Sequence, residues 1–400
     1  MAARVASKES KNISKLFTSA LLTRWLAKQD NNREVKIKPL KTLALLSVSA
    51  LVLAGCAEPR PEAIETPTPE AKVFVTAPLT GLTVEEGTAG SETFSAPSVA
   101  CKVDNVEAAR PQFNLNKTDI VFVEMVEFGL TRLVAVWQSQ PVDQAGPVRS
   151  VRPMDADITA PLAGIFCFSG GQLPFVNAVK DTGQYMASET TEQADDKGSF
   201  SRLSSRGAPH NVMVDVALLQ SQHTDLKAPK PMLPMVGFDP ATESYEVAST
   251  ESGEETISFR IKYPQAESGW KAEGSYFVRS QDGDQHIDAA SDEIIRATNV
   301  VVMQTKTDNS FKDPKYGPIP RTVMIDSGMA WVFSNGKRVK GTWTKASQTA
   351  PIQLFDAAGA PIKLAVGNTW IELMAEPSKI TIKSPEVATP APTEDSSGDE

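Results

Sequence analysis

Leu51-Val52-Leu53-Ala54-Gly55-Cys56 closes an apolar run that begins at Thr42 and follows Lys36, Lys38 and Lys41. A basic stretch, a short apolar core and small residues before cysteine make a lipoprotein export signal, so residues 1–55 are read as leader and Cys56 as the lipidation point. This takes the first 55 residues out of any folded core. The run is shorter than the ~20 residues that span hydrocarbon. The alternative is an uncleaved anchor helix with Cys56 incidental. Some forty residues precede the run, roughly twice the usual leader, so translation starts later than Met1 or the leader is extended. Either way the expected address is the cell membrane, lipid-anchored on its extracytoplasmic side.

Charge follows from that division. Residues 1–55 hold ten Lys/Arg and three Asp/Glu, so residues 56–400 carry −16 against −9 for the whole chain. An acidic body disfavours nucleic acid, and an anion site requires a local concentration of cations. Beyond Cys56 the cysteines are Cys101 and Cys167, in a compartment that permits disulfides; a bridge and two buried thiols are both open. His210, His223 and His286 stand apart, without HExxH, CxxC or EF-hand spacing, so neither metal nor cofactor is expected.

Residues 56–72, rich in Pro, Glu and Thr, read as a flexible tether, and 384–400, acidic and Pro/Thr/Ser-rich, as a disordered tail. Between them a Pro-rich stretch, 228–250, is the best boundary between an N-terminal α/β domain, 73–227, and a smaller β-rich C-terminal domain, 251–383. The class is mixed α/β or α+β. In the first half, 119–127 and 131–138 form a hairpin. A short helix follows over 154–160, with Pro153 at its start, then a buried strand over 164–168. Ser169-Gly170-Gly171 leads into a helix near Pro174. The second half is mostly strand. Asn335-Gly336 is its strongest hairpin turn, and 352–355 and 369–373 are expected to close the sheet.

The phrases 111–121, 146–153 (Gly-Pro-Val-Arg-Ser-Val-Arg-Pro) and 208–211 resemble the YerB-like lipoprotein family of bacteria. The likeness continues through 276–288, with Arg279 and His286, then 297–300, 341–343 and 367–371. It implies a two-domain, membrane-anchored extracytoplasmic lipoprotein of unassigned activity. Where that family has a histidine before Gly-Gly, this chain has Phe168.

Arg149 and Arg152 flank a helix start, where backbone N–H groups and guanidinium forks favour an anion. Asp155 and Asp157 in the first turn can instead neutralise the same arginines. Ser169, Gly170 and Gly171 can form an amide nest or simply a tight turn. His210 and Asn211 offer paired donors or a general base, with Arg202 as a further cation. Glu124 and Arg132 face each other across the hairpin as a structural ion pair, or hold a neighbouring loop. His223 and His286 read as surface or domain-contact residues.

The leading expectation is a membrane-anchored protein binding an anionic envelope ligand through Arg149, Arg152, Ser169, Gly170, Gly171, Arg202, His210 and Asn211. A hydrolase with His210 as base, oriented by Glu124 or an aspartate, is the alternative, although no nucleophile motif accompanies it. Ser268 with Lys271 and Ser334 with Lys337 look like chance Ser-x-x-Lys matches. A third reading is a scaffold that presents Trp331, Trp343 and Trp370 to a protein partner.

Overall fold

Alternation of apolar side chains builds the molecule around one large sheet. The computed structural model describes residues 71–189 and 198–386; the leader, Cys56, nearly all of the tether and most of the tail lie outside them. In chain order the strands of its two larger sheets are β1 (Val99–Asp104), β2 (Ile120–Met125), β3 (Thr131–Trp137), β4 (Ile165–Phe168), β5 (Tyr185–Ser188), β6 (Glu254–Glu255), β7 (Ser258–Lys262), β8 (Glu267–Glu273) and β9 (Tyr276–Gln281). They continue with β10 (Asp284–Gln285), β11 (Arg296–Ala297), β12 (Asn299–Thr305), β13 (Ser327–Ser334), β14 (Lys337–Thr344), β15 (Gln353–Phe355), β16 (Thr369–Ala375) and β17 (Lys379–Lys383). The α-helices are α1 (Asp155–Thr159), α2 (Leu173–Lys180) and α3 (Val216–Gln222).

The central sheet runs β6-β14-β13-β12-β16-β2-β3-β1-β4-β5, with β15 on β14. The second sheet runs β10-β9-β8-β7-β17, with β11 on β9. Because side chains alternate along a strand, β2 sends Val121 and Val123 to one face and Ile120 and Phe122 to the other. The first face packs on Phe259, Ile261, Trp270 and Phe277 of the second sheet. The opposite face packs on Ile158 of α1 and on Phe175 and Val179 of α2. Each of these buried side chains contributes about 1.5–3 kcal/mol. The result is the mixed α+β architecture that the element pattern implies.

The hairpin of β2 and β3 pairs Glu124 with Arg132 in register. Asn335 and Gly336, at φ 49° and 70°, connect β13 to β14. One expectation is corrected: the strand beginning at Thr369 does not close an edge. β16 lies inside the sheet, parallel to β12 on one side and to β2 on the other. Parallel neighbours need no local turn, so nothing near residue 369 announces them. The stretches 73–227 and 251–383 thereby share one sheet.

Cys101 and Cys167, register partners on the parallel strands β1 and β4, are joined in a disulfide. The tryptophan face is also corrected. Trp343 and Trp370 are fully buried and Trp331 is half-buried.

Candidate functional site

Asp104, the last residue of β1, gathers the site. The 145–148 segment binds the strand at 212–214 through Val148 N–H to Val212 O (2.7 Å) and Val214 N–H to Ala145 O (3.0 Å). Arg149 N–H donates to Lys102 O at 2.7 Å, holding this layer against β1. The loop carrying His210 therefore meets the end of β1. Arg149 Nε donates to Asp104 Oδ2 at 2.9 Å, and His210 Nδ1 lies 2.7 Å from the same oxygen. Asp104 is 1% exposed, Arg149 23% and His210 24%, so the carboxylate is buried while both partners reach solvent. Among the described residues, Arg149 Nη1 and Nη2 and His210 Nε2 have no hydrogen-bond partner. A buried carboxylate thus fixes two side chains whose outer nitrogens stay available.

Beneath them Arg132 opens β3 opposite Asp104. Its Nη1 donates to Ser150 O at 3.1 Å, and Arg152 Nη1 reaches the same carbonyl at 3.4 Å. Burial, with Arg152 next in effect, lowers the Arg132 guanidinium to about 10. Arg152 Nε is committed to Glu127 at 2.7 Å. Burial opposes ionisation of Glu127, but Arg152 outweighs it and holds that carboxyl below its ordinary value.

Several expectations change here. Glu124 does not pair with Arg132; it is bonded to Lys102, which also donates to Asp155 Oδ1 at 2.8 Å. Arg132 does hold a neighbouring loop, through Ser150. Burial drives the Lys102 ammonium down to about 7, against the pull of Asp155. Asp155 Oδ2 takes the Arg152 N–H at 2.7 Å, and Asp157 pairs with Arg321 at 2.6 Å. The two aspartates therefore neutralise neither the Arg149 nor the Arg152 side chain. Helix α1 spans only five residues, so its start is no anion site.

The Ser169-Gly170-Gly171 turn is occupied in part. Ser169 N–H donates to Arg149 O (3.0 Å), Gly170 O accepts from Val151 N–H (3.1 Å), and Ser169 Oγ donates to Glu189 Oε1 (3.1 Å). Arg202 Nη2 grips both oxygens of Glu189 at 2.6 and 2.8 Å, and its Nη1 donates to Asn211 Oδ1 at 3.0 Å. This second cluster adjoins the first through the adjacent His210 and Asn211. Phe168 is buried and stacks on Phe166 at 5.9 Å.

A buried polar chain approaches Asp104 from the second sheet. Glu372 on β16 accepts from Tyr263 Oη and Trp270 Nε1, each at 2.9 Å. Burial, then Glu372, raises Tyr263 well above its ordinary value. Arg279, buried over the Trp370 ring at 4.9 Å, donates to Ser268 Oγ at 2.7 Å and to His286 Nδ1. His286 Nε2 then donates to Gln112 Oε1 at 2.6 Å, and Gln112 Nε2 donates to Asp104 O at 2.8 Å. Burial, then Arg279, holds His286 well below the usual imidazole range, so it is neutral. His286 is therefore a contact between the two stretches and not a surface residue. His223 is also buried, its ring 3.8 Å from that of Tyr185.

Lys102, Asp104, Glu189 and Glu372 were not singled out in the sequence. A lysine inside the buried strand Val99–Asp104 was the visible signal, because an unpaired charge is not tolerated there. Ser268 faces Arg279 in the interior while Lys271 points outward, as residues three apart on a strand must. They form no catalytic pair.

Residues 79–228 match the family described as protein of unknown function (DUF3048), N-terminal domain, and residues 256–371 match its C-terminal domain. The candidate lipoprotein YerB of Bacillus subtilis (strain 168) is 25% identical over 317 residues, covering 77% of this chain and 88% of that protein. The crystal structure of YerB from Bacillus subtilis is similar with a TM-score of 0.61 at 20% identity, covering 77% of this chain and 99% of that one. That likeness is one of fold. Among the described residues no helix is long and apolar enough to cross a membrane.

Proposed function

We propose, since this chain belongs to the DUF3048 family of proteins of unknown function and carries both its N-terminal and C-terminal domains, that it is a lipid-anchored extracytoplasmic protein binding an anionic envelope ligand between Arg149 and His210. One observation carries the reading: two side chains from distant segments bond a single buried oxygen of Asp104 and keep their outer nitrogens unused. A phosphate or peptide carboxylate seated there receives the guanidinium fork of Arg149 and, with His210 as imidazolium, its Nε2–H. Lipid on Cys56 supplies the membrane contact, and a Cys56→Ser protein is expected in the soluble fraction.

The test is a titration of the chain with inorganic phosphate and with N-acetyl-alanyl-alanine, followed through imidazole and guanidinium NMR resonances. Charge-assisted hydrogen bonds are worth about 1.5–3 kcal/mol, so Arg149→Ala should weaken binding roughly tenfold or more. Equal affinity in that variant overturns the reading. The Asp104–His210 pair favours a second reading, a hydrolase in which Nε2 takes a proton from water. Turnover of peptidoglycan or of a p-nitrophenyl ester that disappears in His210→Ala would establish it instead.

A further inference from the structure

We propose that the outer face of the second sheet is a separate binding surface for an extended polyanionic chain, recognised by Arg260, Lys271 and Lys383 over a floor of Gly269, Ser258 and Ser280. The inference goes beyond the Arg149–His210 reading and does not depend on it. Strand alternation divides the sheet cleanly. Phe259, Ile261, Trp270, Phe277, Ile380 and Ile382 pack into the core, which leaves the intervening residues outward.

Among the outward residues of β7, β8, β9 and β17 five are cations: Arg260, Lys262, Lys271, Lys379 and Lys383. None of them has an ion pair or side-chain hydrogen bond among the described residues. Only Glu267 and Glu273 oppose them on the same face, so the face is net positive on a chain whose residues 56–400 carry −16. At the Asp104 cluster the arrangement is the reverse, since Arg149, Arg152 and Arg202 each meet a carboxylate. Lysines on an edge strand guard against strand addition, which accounts for Lys379 and Lys383 on β17. It does not account for Arg260 and Lys271, which lie on the interior strands β7 and β8.

Register places the groups in two cross-strand rows. Thr381, Arg260, Gly269 and Ser280 make one; Lys383, Ser258, Lys271 and Val278 make the other. Lys383 and Lys271 are two strands apart, ~9.6 Å, and Arg260 is displaced by two residues, ~7 Å. Charges recurring on that scale along a flexible polymer match this spacing. A groove of ≈ 530 Å³ opens over the rows. Gly269 keeps its floor low, because a Cβ there would come within 2.3 Å of Ser280 Oγ. The Ser258 and Ser280 hydroxyls have no hydrogen-bond partner among the described residues and are free to donate to anionic oxygens. A recess of this kind admits a chain, whereas a flat bilayer surface cannot follow its floor.

Fluorescein-labelled polyphosphate and the full chain in neutral detergent, monitored by anisotropy between 50 and 300 mM NaCl, test the proposal. Wild type is expected to bind with affinity that falls steeply with salt, and Arg260→Glu with Lys271→Glu to lose about tenfold or more at low salt with a shallower salt slope. The milder Arg260→Gln with Lys271→Gln protein, matched to wild type in thermal unfolding, should fall between them. Inorganic phosphate, followed through the His210 imidazole resonances, should titrate wild type and the Arg260→Glu with Lys271→Glu protein alike, which separates this face from the Asp104 site. Unchanged affinity in both double variants overturns the proposal. Displacement of the polymer by phosphatidylglycerol vesicles, and not by phosphatidylcholine vesicles, assigns the face to the bilayer and also overturns it.

Discussion

Gln112 and His286, 174 residues apart, share a 2.6 Å hydrogen bond that ties the first half of the chain to the second sheet. Because His286 is buried and held well below 6.5, its protonation must wait for unfolding. The unfolded chain then binds more protons below pH 6.5, so stability is present above that value and is lost as pH falls. The slope is about 1.4 kcal/mol per pH unit. Thermal unfolding of His286→Gln between pH 4.5 and 7 should show that much less acid sensitivity than wild type. An identical slope would mean that His286 titrates in the native state.

Asp119 works in the opposite direction. Its buried carboxyl accepts from Gln138 N–H, Ser139 N–H and Ser139 Oγ. Burial nevertheless raises it to about 6, with the Ser139 bonds pulling down. With the folded value above the unfolded 3.8, stability is complete below pH 4 and is lost as pH rises through 6. The loss is roughly 2–3 kcal/mol. Urea unfolding of Asp119→Asn at pH 4 and pH 7 should lack this difference. Increasing stability of wild type relative to Asp119→Asn over that interval would show that the three hydrogen bonds dominate burial.

Lys102 holds two buried carboxylates at once, Glu124 and Asp155. Lys102→Met removes the only cation bonded to Glu124 among the described residues, and an uncompensated buried charge costs about 3–5 kcal/mol. Replacing Lys102 together with Glu124 is milder, because a neutral side chain at 124 leaves one charge fewer to bury, with Asp155 still bonded by Arg152 N–H. Lys102→Met with Glu124→Gln should recover at least half of the loss in chemical denaturation. No recovery would place the effect in packing alone.

Local chemistry was legible where local rules apply. The β2–β3 hairpin follows from alternation between Ile120 and Trp137, and the β13–β14 turn from Asn335-Gly336. Arg149 and His210 were each noticed for their own short motif. Their common partner was not, because an aspartate at the end of a short strand looks like a solvent-facing terminus. Only the pairing of 145–148 with 212–214 makes Asp104 a meeting point, and the contact it creates between Asp104 and His210 spans 106 residues of chain. β16 was hidden for a related reason. Its place between β12 and β2 is set by burial on both faces, and Glu372 within it is tolerated because Tyr263 and Trp270, more than a hundred residues earlier, turn their donors toward it and Arg279 lies 3.9 Å away as its cation.

That placement of β16 predicts how the chain behaves when divided. The 73–227 stretch supplies β2, whose parallel partner is β16, and the register runs Thr369 to Ile120 through Glu372 to Val123. Without β16 the edge of β2 is bare, with its backbone donors and acceptors exposed beside a buried apolar strand, a surface that pairs indiscriminately. The same cut removes the second sheet from Val121 and Val123. Residues 73–227 expressed alone should therefore aggregate or remain expanded, and co-expression with 251–383 should restore a soluble one-to-one complex. Light scattering and circular dichroism check both outcomes. A monomeric 73–227 fragment with cooperative unfolding would show instead that the N-terminal stretch is an autonomous domain.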